Sequence, residues 1–229
     1  MITRWIGPLS LLAALVIGDQ IRINRPDHKY RLMVEVETPE GARSGSGVLS
    51  VHPDRGYKQG GSTRTKGDAV TVDLGGGKTL LALLAHADPT VEPDGINYVA
   101  VRAFNAAGQR AAFRRMDGLK GAVTVTGELM PVLAVLTNAA DPATMRAVQP
   151  DAIDAALGAG FRFKGMSVAI VPNGFWPIDV GGALGEPVTR GITSKLPWLA
   201  QSDGAWRAVE AAGLTLKHGF APRQAFTRD

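Results

Sequence analysis

The sequence predicts an α+β fold that consists mainly of antiparallel β-sheet, with a few short helices and a hydrophobic helix at the N-terminus. Composition is the first observation, because the 229 residues include 28 Gly and 14 Pro but only 6% aromatic residues, which is typical of many turns and short elements. The second is a repeated alternation of apolar and polar residues, which indicates half-buried strands. The third is an uncharged run between Arg4 and Asp19.

A chain of this length is expected to form one domain. We divide it into a hydrophobic signal or anchor segment at residues 1–18, a linker at residues 19–29 and a single α+β domain at residues 30–229. The last residues of the domain are expected to form a flexible C-terminal tail. The linker is assigned because Asp19–Lys29 is polar and basic, contains Pro26 and shows no apolar periodicity.

The N-terminal run Trp5–Gly18 is almost wholly apolar and follows a leader that contains one arginine, Arg4. As a helix it would be about 21 Å long, whereas the hydrocarbon core of a bilayer is roughly 30 Å thick. This length suits the apolar core of a secretory signal, although Val16 and Gly18 form a poor cleavage site. Three interpretations stay open: an uncleaved signal anchor, a cleaved signal and a buried N-terminal helix. The first two place the folded domain outside the cytoplasm.

The clearest strand is Tyr30–Thr38, in which aliphatic residues alternate with charged ones. Pro39-Glu40-Gly41 is typical of a tight turn, and Ser44–Val51 is the expected partner strand. The residues expected to face the core are Leu32, Val34 and Val36.

A polar, glycine-rich stretch follows at His52–Gly67. Its basic residues are Arg55, Lys58, Arg64 and Lys66. They suggest either a loop that binds phosphate or anionic lipid, or a solvated, mobile hairpin loop. We favour the second, because no aromatic residues alternate with the charges as they do on surfaces that bind single-stranded nucleic acid.

The stretch Gly75–Thr79 ends in the Gly-Lys-Thr of a phosphate-binding loop. The full motif requires a glycine at the position of Val72, which instead lies in an alternating strand, Asp68–Leu74. We therefore expect a hairpin turn between this strand and the apolar run Leu80–Leu84, and no nucleotide site.

Ile96–Phe104 is rich in β-branched and aromatic residues, which favours a strand. Ala106–Gly121 is predicted to be an exposed helix or turn. Two short strands are then expected at Val123–Thr126 and Val132–Thr137, and the second should be central because it is almost wholly apolar.

Asp141 and Asp151 each suit the N-cap of a helix, because an acceptor side chain there satisfies free backbone N–H groups. The first is expected to cap a helical turn over Ala143–Arg146, and the second a helix that runs to Leu157 and stops at Gly158.

Phe161–Val171 is predicted to be a strand with a β-bulge at Gly165, where the apolar alternation slips by one residue. Helical spacing then connects Val188, Ile192, Leu196 and Leu199. Asp203 is expected to cap a last helix, Gly204–Ala212. Leu214–Lys217 suits an edge strand, and Phe220–Asp229 a tail.

Several of these segments together resemble a family of uncharacterised proteobacterial envelope proteins. The matching segments are Tyr30–Gly41, Asp141-Pro142, Val148–Asp151, Gly158–Gly160, Pro187–Ile192 and Leu196–Leu199. The resemblance covers most of the chain between Tyr30 and Leu199 and implies an envelope location, but it carries no known activity.

Familiar catalytic and metal-binding patterns are missing from the sequence. There is no cysteine, and the four histidines, His28, His52, His86 and His218, form no i, i+2 or i, i+4 pair. Ser44–Gly47 lacks the outer glycines of a nucleophile elbow, and Gly158–Gly160 lacks the third glycine of a dinucleotide site. We therefore assign no catalytic, cofactor-binding or metal residues and expect no cofactor. A net charge of +4 is too small to indicate nucleic acid.

Two functional hypotheses remain. The first is a non-catalytic, membrane-associated or periplasmic interaction module that binds a protein or another envelope component. It would be anchored in the inner membrane and face the periplasm, or be periplasmic if the signal is cleaved. The alternative is a hydrolase-like enzyme whose site is assembled from dispersed residues such as Asp141, His86 and Arg190.

Overall fold

The computed structural model describes residues 3–54, 62–87, 91–92, 94–174 and 185–229. The α-helices among them are α1 (Thr3–Asn24), α2 (Val99–Ala106), α3 (Ile153–Leu157), α4 (Ile192–Lys195) and α5 (Gly204–Ala211). The strands are β1 (His28–Thr38), β2 (Gly41–His52), β3 (Arg64–Asp68), β4 (Val70–Gly75), β5 (Lys78–Ala82), β6 (His86–Ala87), β7 (Val91–Glu92), β8 (Ala122–Thr124), β9 (Leu133–Leu136), β10 (Met145–Val148), β11 (Arg162–Val171) and β12 (Thr227–Arg228). Short 3-10 helices lie at Asp94–Asn97, Phe113–Gly118, Gly127–Leu129, Pro142–Thr144, Pro150–Ala152, Pro197–Ala200 and Pro222–Ala225.

The strands form two main sheets. One has the order β12-β3-β2-β1-β11-β8, and the other has the order β10-β9-β5-β4, while β6 and β7 pair separately. These ladders are antiparallel, and an isolated parallel bridge joins Val91 to Leu216. The prediction of an α+β fold with mainly antiparallel sheet and a few helices is therefore confirmed.

Strand β1 lies inside the larger sheet, between β2 and β11. The predicted pairing of Tyr30–Thr38 with Ser44–Val51 is confirmed by a continuous antiparallel register. Leu32, Val34 and Val36 have no exposed surface, as their alternation predicted. Strand β1 is thus an inner strand of the larger sheet, and its alternate side chains are part of the core.

Strand β11 contains the predicted bulge. Glu35 faces Gly165 across the sheet, but Val36 faces Phe163, so Lys164 is the extra residue. The bulge lies beside Gly165, the position that the shifted alternation indicated. It accommodates the change of parity within the strand.

The predicted turn at Gly75–Thr79 connects β4 to β5. Gly76 and Gly77 have φ values of +60° and +77°, which tight hairpin turns require and glycine adopts readily. In the same sheet, β5 and β9 are the two inner strands. The expectation that Val132–Thr137 contains a central strand is therefore confirmed.

The Ser44–Gly47 stretch brings the two sheets close together. A Cβ atom at Gly45 would lie 2.2 Å from the Thr71 carbonyl oxygen, and one at Gly47 would lie 3.2 Å from Val70 Cγ2. Both glycines lie on the side of β2 that faces β4. Their missing side chains let the two strands approach, which gives this stretch a packing role.

The predicted strand at Ile96–Phe104 is wrong, because this stretch forms a 3-10 helix followed by α2. The buried residues of α2 are Val99, Ala100, Ala103 and Phe104. That spacing places them on one face of a helix. The density of β-branched and aromatic side chains pointed to a strand, but the periodicity of burial determines the structure.

The predicted linker over residues 19–29 is also corrected. Helix α1 continues to Asn24, and β1 begins at His28. Within the helix, Arg22 Nη2 donates a hydrogen bond of 2.9 Å to Asp19 Oδ1. Pairs at i, i+3 stabilise a helix, so the polar composition here marks an exposed helical surface.

The predicted C-terminal tail is wrong as well. Strand β12 joins the edge of the larger sheet, and Phe220, Ala225 and Phe226 are buried. The Phe226 carbonyl accepts a hydrogen bond of 2.8 Å from Ala69 N. Its ring meets Trp198 edge-on, with ring centroids 5.4 Å apart. The last ten residues therefore pack against the folded domain and contribute three buried apolar residues to the core.

The helix caps follow the predictions only in part. Asp141 Oδ1 accepts a hydrogen bond of 3.0 Å from Ala143 N, as expected. The turn that it caps is a single 3-10 turn followed by β10, rather than a helix to Arg146. Asp151 and Asp203 precede α3 and α5, but neither helix has a side-chain cap.

Most of the apolar residues that share helical spacing around Trp198 are buried. Ile192 in α4 is buried, and so are Leu196, Trp198 and Leu199. The helix ends before Pro197, where a 3-10 helix takes over. The predicted helical spacing is therefore confirmed only in part, because Val188 lies before α4 and is half-buried.

Helix α1 has 22 residues. Of the helices in the described part of the chain, none combines enough length with enough apolar character to cross a membrane.

Candidate functional site

The outer face of the larger sheet carries polar side chains from three neighbouring strands. Lys29 of β1 faces Ser50 of β2, and Ser50 faces Lys66 of β3. Directly opposed residues point to the same side of a sheet, so the three side chains form one row. His52 lies two residues beyond Ser50 and points to the same side. We call these four residues the outer polar cluster.

Ser50 and His52 are in direct contact. The distance between Ser50 Oγ and His52 Nε2 is 2.8 Å, a hydrogen bond in which either group can donate, depending on the imidazole tautomer. Ser50 is only 2% exposed, whereas His52 is half-buried. His52 is therefore the more exposed member of the pair.

Lys29 is a nearly buried cation, with 4% of its surface exposed. Its Nζ donates a hydrogen bond of 2.9 Å to the Glu186 carbonyl oxygen. The carboxylate of Glu186 forms an ion pair with Arg31 instead. An ammonium group can donate three hydrogen bonds. In the described part of the chain, the ammonium group of Lys29 donates one, to this backbone oxygen.

Lys66 adds a second cation to the cluster. Its side chain is half-buried and has no hydrogen bond or ion pair within the described ranges. Arg64 faces His52 across β2 and β3 and is exposed. Arg64 and Lys66 belong to the basic stretch that was predicted to be a mobile loop, but they lie in strand β3. Arg55 and Lys58 lie outside the described residues.

Asp68 is a second buried charge, and no pattern in the sequence singles it out. It is 2% exposed, and it accepts hydrogen bonds of 2.9 Å from Ile192 N and 2.6 Å from the Thr227 hydroxyl. Arg190 Nη1 lies 3.8 Å from its Oδ1 atom. The carboxylate thus joins β3 to the start of α4 and to β12, which is a structural arrangement.

The Pro187–Ile192 segment follows the edge of β2 beyond β3. Thr189 N donates a hydrogen bond of 2.9 Å to the Val48 carbonyl, and Val48 N donates one of 2.8 Å to Thr189 Oγ1. Gly191 has a φ of +95° and precedes α4. This segment, which is one of those that carry the family resemblance, therefore attaches α4 to the larger sheet.

Three segments that carry the family resemblance meet at an open cavity of about 640 Å³. Glu37 lines it from Tyr30–Gly41, Asp151 from Val148–Asp151 and Gly160 from Gly158–Gly160, and Phe161 also borders it. A Cβ atom at Gly160 would lie 2.9 Å from Pro39 Cγ. The segments that contain Pro39 and Gly160 are distant in sequence but adjacent in the fold.

The residues proposed for a dispersed hydrolase site have separate partners. Asp141 caps a 3-10 turn, and His86 Nε2 lies 2.9 Å from the Leu129 carbonyl oxygen. Arg190 donates to the Arg228 carbonyl at 2.6 Å and lies 3.4 Å from the Asp229 carboxylate. These contacts are structural, and nothing in them forms a catalytic arrangement of the three side chains.

The histidine nearest the N-terminus lies in a strand rather than in the predicted linker. His28 begins β1, is fully buried, and has its Nδ1 atom 3.0 Å from Asp27 Oδ2. Its Nε2 atom is buried and has no hydrogen-bond partner. Within the described ranges, no group of three or more His, Asp or Glu residues is placed to hold a metal ion.

Phe175 and Trp176 lie outside the described residues. The outer polar cluster itself was missed, because Lys29 was assigned to the linker and Ser50 to an ordinary strand. The signal that could have found part of it is the i, i+2 spacing of Ser50 and His52 at the end of a predicted strand.

Comparison of the chain with models of known protein families, with curated proteins and with solved structures finds no match.

Proposed function

We propose that this chain is a non-catalytic binding protein of the cell envelope, which α1 attaches to a membrane. The observation that carries the proposal is the surface of α1. Its large apolar side chains are exposed by 54–65% in the folded chain. They are Leu11, Leu12, Leu15, Val16 and Ile17.

Burial of such side chains is strongly favourable. Transfer of each one from water to an apolar environment is worth roughly 1.5–3 kcal/mol. At 100° per residue, these five positions spread around more than half of the helix circumference. A groove on a partner protein would cover one stripe of such a helix, whereas lipid surrounds it, so we infer a bilayer.

The order of charges supports an export signal or a signal anchor. Arg4 precedes the apolar run and supplies the positive leader of such a signal. Arg22 is held on the helix by Asp19, so the charged surface begins within α1. An export signal needs an apolar core of only about 7–15 residues, which is shorter than a membrane-spanning helix, and such a signal would place the folded domain on the periplasmic side.

Membership of the proteobacterial envelope family belongs to the same proposal. It is supported by the segments quoted above. The partner would be a protein or another envelope component, and no nucleic acid is expected, because the net charge is only +4.

A fusion of residues 1–29 to alkaline phosphatase tests the location, because this enzyme becomes active only after export. We expect an active fusion that sediments with membranes. Leu12→Arg together with Leu15→Arg should abolish activity, since a charge at the centre of an inserted helix costs about 2.5–3.5 kcal/mol. Gln20→Arg, which adds a charge outside the apolar run, is the matched control and should keep activity. An inactive, soluble fusion of the unchanged segment would refute export.

A further inference from the structure

We propose that the outer polar cluster binds an oxyanion, a phosphate group carried either by a small ligand or by a lipid headgroup. This site is independent of α1, because its residues lie in the folded domain. It goes beyond attachment to a membrane and assigns a ligand class to a surface of the sheet.

The first argument is the charge of Lys29. A buried ammonium group is costly unless an opposite charge and further acceptors compensate it. Lys29 is 4% exposed and its described acceptor is one backbone carbonyl oxygen. The neighbouring carboxylate of Glu186 is neutralised by Arg31. An anion seated on Lys29 would supply the missing negative charge.

The second argument is the set of donors beside Lys29. Lys66 stands on the other side of Ser50 in the same row and adds a second positive charge. When His52 Nε2–H donates to Ser50 Oγ, the hydroxyl proton of Ser50 is free to donate to an anion. Two ammonium groups and one hydroxyl are donors that match the acceptor-only oxygens of a phosphate.

The third argument concerns size. Ser50 and Lys29 are nearly buried, while Lys66 and His52 are half-buried and lie nearer the surface. The donors nearest the surface are only half-buried and those beside them leave little exposed surface, so the cluster suits a small group such as phosphate better than a large ligand.

Thermal unfolding of the full chain in a neutral detergent provides the test. The scans compare inorganic phosphate with chloride at equal ionic strength. At about a hundred times the dissociation constant, we expect phosphate to raise Tm by about 5–10 °C. A parallel series uses mixed micelles that contain anionic phosphatidylglycerol or zwitterionic phosphatidylcholine.

Lys29→Met keeps the length of the side chain and removes the charge, so it should abolish the shift. Ser50→Ala and Lys66→Met should each reduce it. Lys195→Met is the control, because Lys195 is an exposed lysine whose Nζ donates to Thr71 Oγ1 at 2.8 Å, and it should keep the full shift.

The outcomes separate the sources of the phosphate group. A Lys29-dependent shift with inorganic phosphate identifies a soluble ligand, and one confined to phosphatidylglycerol micelles identifies a lipid headgroup. If neither produces a shift, or if Lys29→Met shifts as much as the unchanged chain, the oxyanion site is refuted. The alkaline phosphatase fusion is unaffected by any of these results.

Discussion

Asp68 illustrates how one side chain can join segments that are far apart in the chain. Its two oxygens accept from a backbone N–H at the start of α4 and from the hydroxyl of Thr227 in β12. Because the carboxylate is buried, each of these charge-assisted hydrogen bonds is protected from water. The same side chain in an exposed position would contribute little.

Asp68→Ala should lower the free energy of unfolding by about 2–4 kcal/mol, since it leaves two buried donors without an acceptor. Urea unfolding followed by circular dichroism measures the change. Asp203→Ala is the matched control, because Asp203 is exposed and makes no capping hydrogen bond, and it should stay within about 0.5 kcal/mol. Equal effects of the two substitutions would refute the role of Asp68.

At the scale of elements, the C-terminal segment behaves as core. Strand β12 extends the larger sheet beyond β3, and the Phe226 ring contacts Trp198. The Arg228 guanidinium also donates to the Leu84 carbonyl. Several separate contacts thus hold a segment whose sequence has no strong periodicity.

Phe226→Ala should destabilise the chain by about 3–5 kcal/mol, the usual range for removal of a buried aromatic ring. Chemical unfolding measures this change. Trp206→Ala, on the exposed side of α5, removes an aromatic ring that is 56% exposed and should have an effect of about 0.5 kcal/mol or less. A negligible effect of Phe226→Ala would restore the interpretation of a loose tail.

The contrast between β1 and β12 shows what the sequence could reveal. The pairing of β1 with β2 was predictable because alternation and a Pro-Glu-Gly turn are local signals. The burial of Phe226 depends on Ala69 and Trp198, which lie far away in the chain, and no local pattern reports such contacts. In the candidate site, Ser50 and His52 lie in the same strand. Lys29 lies in β1, and the register between β1 and β2 places it beside Ser50.

At the scale of the whole molecule, Tyr30 connects the sheet to the segment before α2. Its hydroxyl donates a hydrogen bond of 3.0 Å to the Ile96 carbonyl oxygen. Burial raises the pKa of the Tyr30 phenol well above its ordinary value, and the Arg228 guanidinium lowers that pKa to a smaller extent. The folded state therefore strongly favours the neutral phenol.

Alkaline pH should destabilise the fold through this group. In the unfolded chain Tyr30 ionises near its usual pKa of about 10, while in the folded chain it stays protonated to higher pH. Its contribution is therefore fully present below about pH 10 and is lost above it, by up to about 1.4 kcal/mol per pH unit. Urea unfolding from pH 8 to 11 measures the slope.

Tyr30→Phe should be less stable by about 1 kcal/mol at neutral pH, because it loses the hydrogen bond, and should lose this part of the alkaline slope. Tyr98→Phe, which changes a partly exposed tyrosine, should keep the slope of the unchanged chain. If Tyr30→Phe and the unchanged chain have the same slope, burial of the phenol does not control alkaline stability.

The order of strands in the larger sheet has a consequence for biosynthesis. Lys29 and its acceptor Glu186 are separated by 157 positions, and Asp68 and Thr227 by 159. At translation rates of about 5–20 residues per second, the ribosome takes roughly 8–30 s to supply the second partner of such a pair. Until then Lys29 lacks its acceptor, and β3 lacks its neighbour β12. The larger sheet is therefore completed only after nearly the whole chain has been synthesised.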